Sequence, residues 1–201
     1  MRLLVVRHAV TDWNQAGRLQ GRTDIDLNAE AVRQAMALAG RLRPENISRI
    51  LSSPMRRAVR TALPIAESHG LSLETSEDLQ EADMGLWEGL TWDEVRARYA
   101  DQLAERDRVG PGYKGHKGES ILEVMARAGQ FLKVLRKESA GKTVLVVTHA
   151  SPARHLIGHA TGDPEHHRLK LGNTSLNVLD LSVTPARVEV LDDLSHLACF
   201  C

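Results

Sequence analysis

Residues 143–150, TVLVVTHA, and residues 3–8, LLVVRH, decide the fold. Each contains a short apolar run, LLVV in one and VLVV between two threonines in the other, the pattern of a strand covered on both faces of a parallel sheet. Each run ends on a histidine, His8 after the first and His149 after the second. Between them the pattern alternates. A polar loop covers about residues 8–28. Ala31, Ala35, Leu38, Ala39 and Leu42 then fall at helical spacing before Pro44. Ile47–Leu51 reads as a strand, Ser52-Ser53-Pro54 as the cap of a helix running to His69-Gly70, and Leu71–Glu74 as a third strand. The middle, about 79–118, is less regular, with a helical stretch near 91–104 and the loop GPGYKGHKG. Glu119–Glu138 predicts a long amphipathic helix, with Ile121, Leu122, Val124, Met125, Phe131, Leu132 and Leu135 on its apolar face. Ala150–Ala160 predicts another helix; Ser175–Leu181 and Val188–Leu191 predict two closing strands, read as an antiparallel hairpin. Strands alternating with helices imply an α/β fold with a mostly parallel sheet.

Composition narrows the function classes. The chain has 201 residues, 42% of them hydrophobic, which suits one α/β domain or one with a small inserted cap. Lys+Arg and Asp+Glu both total 26, so no general field favours nucleic acid or a membrane surface. Arg56, Arg57 and Arg60 lack interleaved aromatics, which argues further against nucleic acid. Cys199 and Cys201 are too close for an unstrained disulfide and fit a reducing compartment. The apolar start of the chain is too short for a signal peptide, and no run reaches membrane length. The expectation is a soluble, cytoplasmic protein.

In an open α/β sheet, ligands bind beyond the carboxyl ends of the strands. There the chain places Arg7-His8 and His149, with Arg56, Arg57 and Arg60 on the helix after the second strand and Glu81 and Asp83 in LQEADMGLWEG. This set suits phosphoryl transfer. Guanidinium matches phosphate oxygens bidentately. Flanking cations keep an imidazole neutral and nucleophilic. A carboxylic acid can protonate the leaving alkoxide and later accept a proton from water.

The chain resembles the histidine phosphatase superfamily, the phosphoglycerate-mutase-like family. VVRHAVTDWN at 5–14 resembles its RHG signature; GRLQG at 17–21, DIDLN at 24–28, SSPMRRAVRTA at 52–62, LQEADMGLWEG at 79–89, GES at 118–120 and VVTHA at 146–150 follow in the family's order, over about residues 3–160. The resemblance implies a three-layer α/β/α sandwich with a mixed, mostly parallel sheet, a single domain over 1–201 and a small cap insertion at about 82–118. It also implies that His8 is the phosphorylated nucleophile, Arg7 and Arg57 clamp the phosphoryl group, His149 donates to it, and Glu81 is the proton donor. Asn14 matches a polar residue near the phosphate, and Gln20 and Gly21 match positions facing the substrate. Arg56 is set aside because Arg57 directly precedes the motif's alanine. The chain departs from the pattern at Ala9 and Ala150, where glycine is usual, and at Val10, where Glu or Gln is common.

The leading expectation is a phosphomonoesterase acting on a small phosphorylated metabolite without cofactor or metal. A phosphoglycerate mutase would use the same phosphohistidine, but RVGPGYKGHKGES is short and lacks the Arg-rich insertion of the family's mutases. An inactive module binding a phosphorylated ligand is a further alternative, motivated by Ala9 and Val10. A metallohydrolase built on the His-rich stretch 155–167 is another; His155 and His159 are four apart but lack an acidic partner or an HExxH pattern, so they read as a solvated face. Trp87 and Trp92 are expected to pack the cap rather than touch substrate, with Trp87 open to both roles. Lys114, His116 and Lys117 read as a solvated loop rather than a second anion site. A homodimer stays open.

Overall fold

The central strands align in register, and that alignment builds the site. In the computed structural model, β1 (Arg2–Arg7) pairs in parallel with β4 (Thr143–Thr148), Arg7 opposite Thr148. The structure describes residues 1–200, without the side chains of Cys199 and Phe200; the cysteine expectation therefore lies outside the described residues.

A four-residue helix, α1 (Asp12–Gln15), interrupts the loop after β1, closed by a capping box between Thr11 and Asn14. Next come α2 (Ala29–Leu42), capped by Asn28, then β2 (Arg49–Ser52), α3 (Arg56–His69) and β3 (Leu73–Thr75). Gly70 ends α3 in the left-handed region at φ 63°, as its glycine predicts. The N-cap of α3 is Met55, without a side-chain bond, so Ser52 and Ser53 do not cap it. The helical stretch near 91–104 breaks at Tyr99 into α4 (Trp92–Arg98) and α5 (Ala100–Val109). α6 (Ile121–Glu138) follows with a capping box between Ser120 and Glu123. After β4 come α7 (Ala150–Thr161), β5 (Leu176–Asp180) and β6 (Arg187–Asp193), the last two an antiparallel pair as expected.

The sheet order is β3-β2-β4-β1-β5-β6, parallel from β3 to β1, with β5 antiparallel to β1. Alternation along the strands sends side chains to two cores. Leu3, Val5, Val144 and Val146 pack with Phe131, Leu132 and Leu156 of α6 and α7. Leu4, Val6, Leu145 and Val147 pack with Leu38, Ala58 and Ile65 of α2 and α3. The result is the three-layer α/β/α sandwich expected. A separate small core of Trp87, Val95 and Tyr113 forms within the stretch expected as a cap. Ile121 and Leu122, expected on the inner face of α6, are 45% and 53% exposed. They sit in its first turn, and neither joins the two cores that cover the sheet. Among the described residues no helix is long and apolar enough to cross a membrane.

Candidate active site

Because Arg7 and Thr148 are opposite, the next residues of β1 and β4 leave the sheet side by side. The rings of His8 and His149 lie 5.0 Å apart, centroid to centroid. The His8 backbone N–H donates to Thr148 O at 2.8 Å. Its ring is buried, and Nδ1 donates to the Ala9 carbonyl at 2.7 Å, since a carbonyl can only accept. The neutral ring then carries its lone pair on Nε2, which has no hydrogen-bond partner among the described residues. Burial first, then Arg7 and Arg57, hold the His8 pKa well below 6.5. Ala9 N–H donates to Thr61 Oγ1 at 2.9 Å, and that hydroxyl donates to Arg57 O at 2.7 Å, tying the loop after β1 to α3.

Arg57 is fully buried and spends its guanidinium on the floor of the site. Nη1 donates to Thr23 O and Nη2 to Gly21 O, both at 2.8 Å, and Nε donates to His149 Nδ1 at 3.2 Å. Arginine cannot accept, so His149 carries its proton on Nε2, which donates to Ser53 Oγ at 2.8 Å. Burial, followed by Arg57 and His8, also keeps the His149 pKa well below 6.5. Both His149 nitrogens are thus engaged behind His8, and the ring is off the cavity wall. To reach a phosphoryl group it must release Ser53. Arg7 donates Nη1 to Leu171 O at 2.7 Å, while its buried Nε has no partner. Arg56 pairs with Asp26 at the surface, away from the site.

Glu81 faces this group from the loop before the cap. Its Oε1 accepts from Ala82 N–H at 2.9 Å and from Ser151 N–H, in the first turn of α7, at 3.2 Å. Asp83, the competing acid, instead caps Gly85 N–H at 2.8 Å. Asn14 Oδ1 accepts from Thr11 and from Asn173 Nδ2, the latter at 3.3 Å. Gln20 is buried with Oε1 unpartnered. Gly21 adopts φ +51°, and a Cβ there would stand 2.0 Å from Glu88 Oε1. Arg7, His8, Asn14, Gln20, Gly21, Arg57 and Glu81 all line one cavity of about 490 Å³, under the cap.

Several contributors escaped the sequence reading. Glu88 accepts from the N–H groups of Arg22, Thr23 and Met84 at 2.8, 3.0 and 3.2 Å, and so shapes the loop that receives Arg57. Asn173 donates to His8 O at 2.9 Å from the segment before β5. Ser53, taken for a helix cap, is recruited by His149. Among the described residues no set of three or more His, Cys, Asp or Glu side chains could hold a metal ion. His155 is not on a solvated face: it is buried, with Nδ1 2.9 Å from His167 Nδ1, because α7 packs on the 3₁₀ turn at 164–168. His116 is likewise no solvated loop residue; it is buried 4.7 Å from the Trp87 ring and lines the cavity. Lys114 pairs with Glu123 at 2.7 Å.

Three comparisons bear on this geometry. Phosphoserine phosphatase 1 of Hydrogenobacter thermophilus is 36% identical over 154 residues, 77% of this chain and 73% of its own. The Yersinia pestis protein named probable phosphoglycerate mutase GpmB is 31% identical over 98% of this chain and 95% of its own. The structure of a mycobacterial glucosyl-3-phosphoglycerate phosphatase, solved with VO3, superposes with a TM-score of 0.83 at 28% identity, covering 95% of this chain and 98% of that one. A family model described as histidine phosphatase superfamily (branch 1) matches residues 3–193, beyond the last motif and through the segment that holds Asn173. The chain belongs to the histidine phosphatase superfamily.

Proposed function

We propose that this protein is a phosphomonoesterase that hydrolyses a small phosphorylated metabolite through a phosphohistidine on His8. The observation that carries the reading is the His8 ring: Nδ1 is committed to Ala9 O, burial and two arginines keep it neutral, and Nε2 is left free at the cavity wall. In the first step Nε2 attacks phosphorus; the N–P bond forms, the bond to the ester oxygen breaks, and Glu81 gives its proton to the departing alkoxide. In the second step Glu81, now a carboxylate, takes a proton from water, whose oxygen attacks phosphorus. The N–P bond breaks and inorganic phosphate leaves.

Arg7 and Arg57 supply charge to the equatorial oxygens in a site that excludes most water. Arg57 stays aimed because Gly21 O, Thr23 O and His149 hold it from three sides. Asn14, Gln20 and Gly21 complete the phosphoryl pocket, and residues 82–118 act as a cap over a single domain. His149 positions Arg57 in the free site and joins the phosphoryl group by leaving Ser53. Hydrolysis is favoured over a mutase cycle because the stretch leading into α6, RVGPGYKGHKGES, is short and carries no Arg-rich insertion. Two of the three relatives described above carry phosphatase names.

Purified protein is expected to release phosphate from p-nitrophenyl phosphate in the presence of EDTA, and His8→Ala to abolish the release. Sustained isomerisation of 3-phosphoglycerate with negligible phosphate release would overturn the choice. Loss of activity on chelation would point to a metallohydrolase instead.

A further inference from the structure

The half of the cavity remote from His8 differs in character from the phosphoryl pocket. Its wall is Met84, Trp87, Trp92, Tyr113, Ile121 and Val124. Trp87 and Tyr113 stack at 6.0 Å with an interplanar angle of 23°, and Trp92 meets Trp87 edge-on at 5.9 Å. Trp92 and Ile121 remain 38% and 45% exposed, so apolar surface continues to the mouth. Exposed apolar side chains that converge on a cleft, rather than scatter, mark a binding site.

Charge on this side is already spent. Lys114 faces Glu123 at 2.7 Å, Arg18 faces Glu94 at 2.9 Å, and Arg106 lies near Asp107 at 3.1 Å with its guanidinium 5.6 Å above Trp92. His116 is buried against Trp87 and Tyr113, and burial depresses its pKa below 6.5, so it adds no positive charge. Of the cavity arginines, Arg7, Arg57 and Arg154 have no carboxylate partner among the described residues; the first two flank His8, and Arg154 bonds Ser151 beside Glu81, with its buried Nε unpartnered. A second anionic group seated against Trp87, Trp92 and Tyr113 would meet only cations that already face a carboxylate; Arg154 stands apart, beside Ser151. Nor does a two- or three-carbon phosphoester fill about 490 Å³.

We propose that the alcohol portion of the substrate carries an aromatic ring, seated against Trp87, Trp92 and Tyr113 with Ile121 and Val124 opposite. This rests on the phosphomonoesterase reading for the placement of the phosphoryl group, and it assigns the cap residues a role in choosing the leaving group. Aromatic faces meeting in stacked or edge-on geometry, together with burial of the ring, supply the preference.

Non-hydrolysable phosphonates test it without turnover. The dissociation constants of ethylphosphonate, 2-phenylethylphosphonate and 3-phosphonopropionate are measured by calorimetry on the intact protein. The phenyl compound is expected to bind on the order of tenfold to a hundredfold tighter than ethylphosphonate, the range set by burying one phenyl group. Trp92→Ala is expected to bring that ratio close to one, and Ile121→Ser, at the exposed start of α6, to reduce it independently. Equal affinity for the ethyl and phenyl compounds overturns the proposal, as does tightest binding of the carboxylate-bearing 3-phosphonopropionate. A phenyl preference in a protein that hydrolyses no phosphomonoester would keep the aromatic seat as a ligand site and overturn both the enzymatic reading and the leaving-group role that rests on it.

Discussion

Substitution of Gly21 by alanine should damage the site through a residue that touches no substrate. Gly21 sits at φ +51°, and its added Cβ would stand 2.0 Å from Glu88 Oε1 and 2.6 Å from Cδ. The carboxylate must move. It then gives up bonds from Arg22, Thr23 and Met84 N–H, at 2.8, 3.0 and 3.2 Å. A left-handed alanine costs about 1 kcal/mol relative to glycine. Three backbone bonds to a half-buried carboxylate are worth about 1 kcal/mol each after water competes for them. Gly21→Ala should therefore destabilise by about 4 kcal/mol and Glu88→Ala by about 3 kcal/mol. In the double variant the clash is gone, so only the backbone term adds, giving about 4 kcal/mol rather than an additive 7. Urea denaturation of the four proteins measures that coupling. Gly21 O also accepts from Arg57 Nη2 at 2.8 Å, so kcat/KM should fall at least about tenfold in Gly21→Ala as the arginine loses its aim. Additivity of the two substitutions to within about 0.5 kcal/mol would refute the reasoning, because it would mean that Gly21 and Glu88 do not meet.

Two further outcomes follow from the buried imidazoles. His8 and His149 are neutral in the fold, with pKa values well below 6.5, whereas unfolding exposes ordinary imidazoles. Below about pH 6.5 the unfolded chain binds protons that the folded one refuses, so stability should decrease as pH falls, approaching about 2.7 kcal/mol per pH unit for two such groups; His116, His155, His167 and His196 shift in the same direction. A urea midpoint unchanged between pH 7.5 and 5 would contradict this. Ser53→Ala leaves the buried His149 Nε2–H without its acceptor; a loss of about 1–3 kcal/mol is expected on thermal or urea unfolding, and no loss would show that the ring finds another partner.

The reading of LLVV and TVLVVT as twin strands was sound because a strand buried on both faces must be apolar without interruption, and LLVV and the VLVV within TVLVVT each meet that demand. The same runs placed His8 and His149 at neighbouring strand ends, so half of the candidate site was legible as soon as the sheet was. Cases where one pattern serves two purposes were not legible. Ile121 fits an amphipathic helix whether it faces the core or a ligand cavity, and only the folded chain, where it is half-exposed on the cavity wall, decides between them. His116, flanked by glycines and lysines, has the composition of a solvated loop; Tyr113 three residues before it and Trp87 from further back in the chain enclose it. Ser53 carries a helix-cap residue type, yet a buried imidazole proton is a more demanding partner than a half-exposed helix end. Asn173 shows the limit most sharply. Its qualifications for the site are bonds to the His8 carbonyl and to Asn14 Oδ1, across 165 and 159 residues of chain, and no periodicity, charge pattern or local motif encodes contacts of that kind. What a sequence carries in readable form is the demand each segment places on its own surroundings; a residue recruited to meet a demand arising elsewhere becomes visible only when the chain is folded.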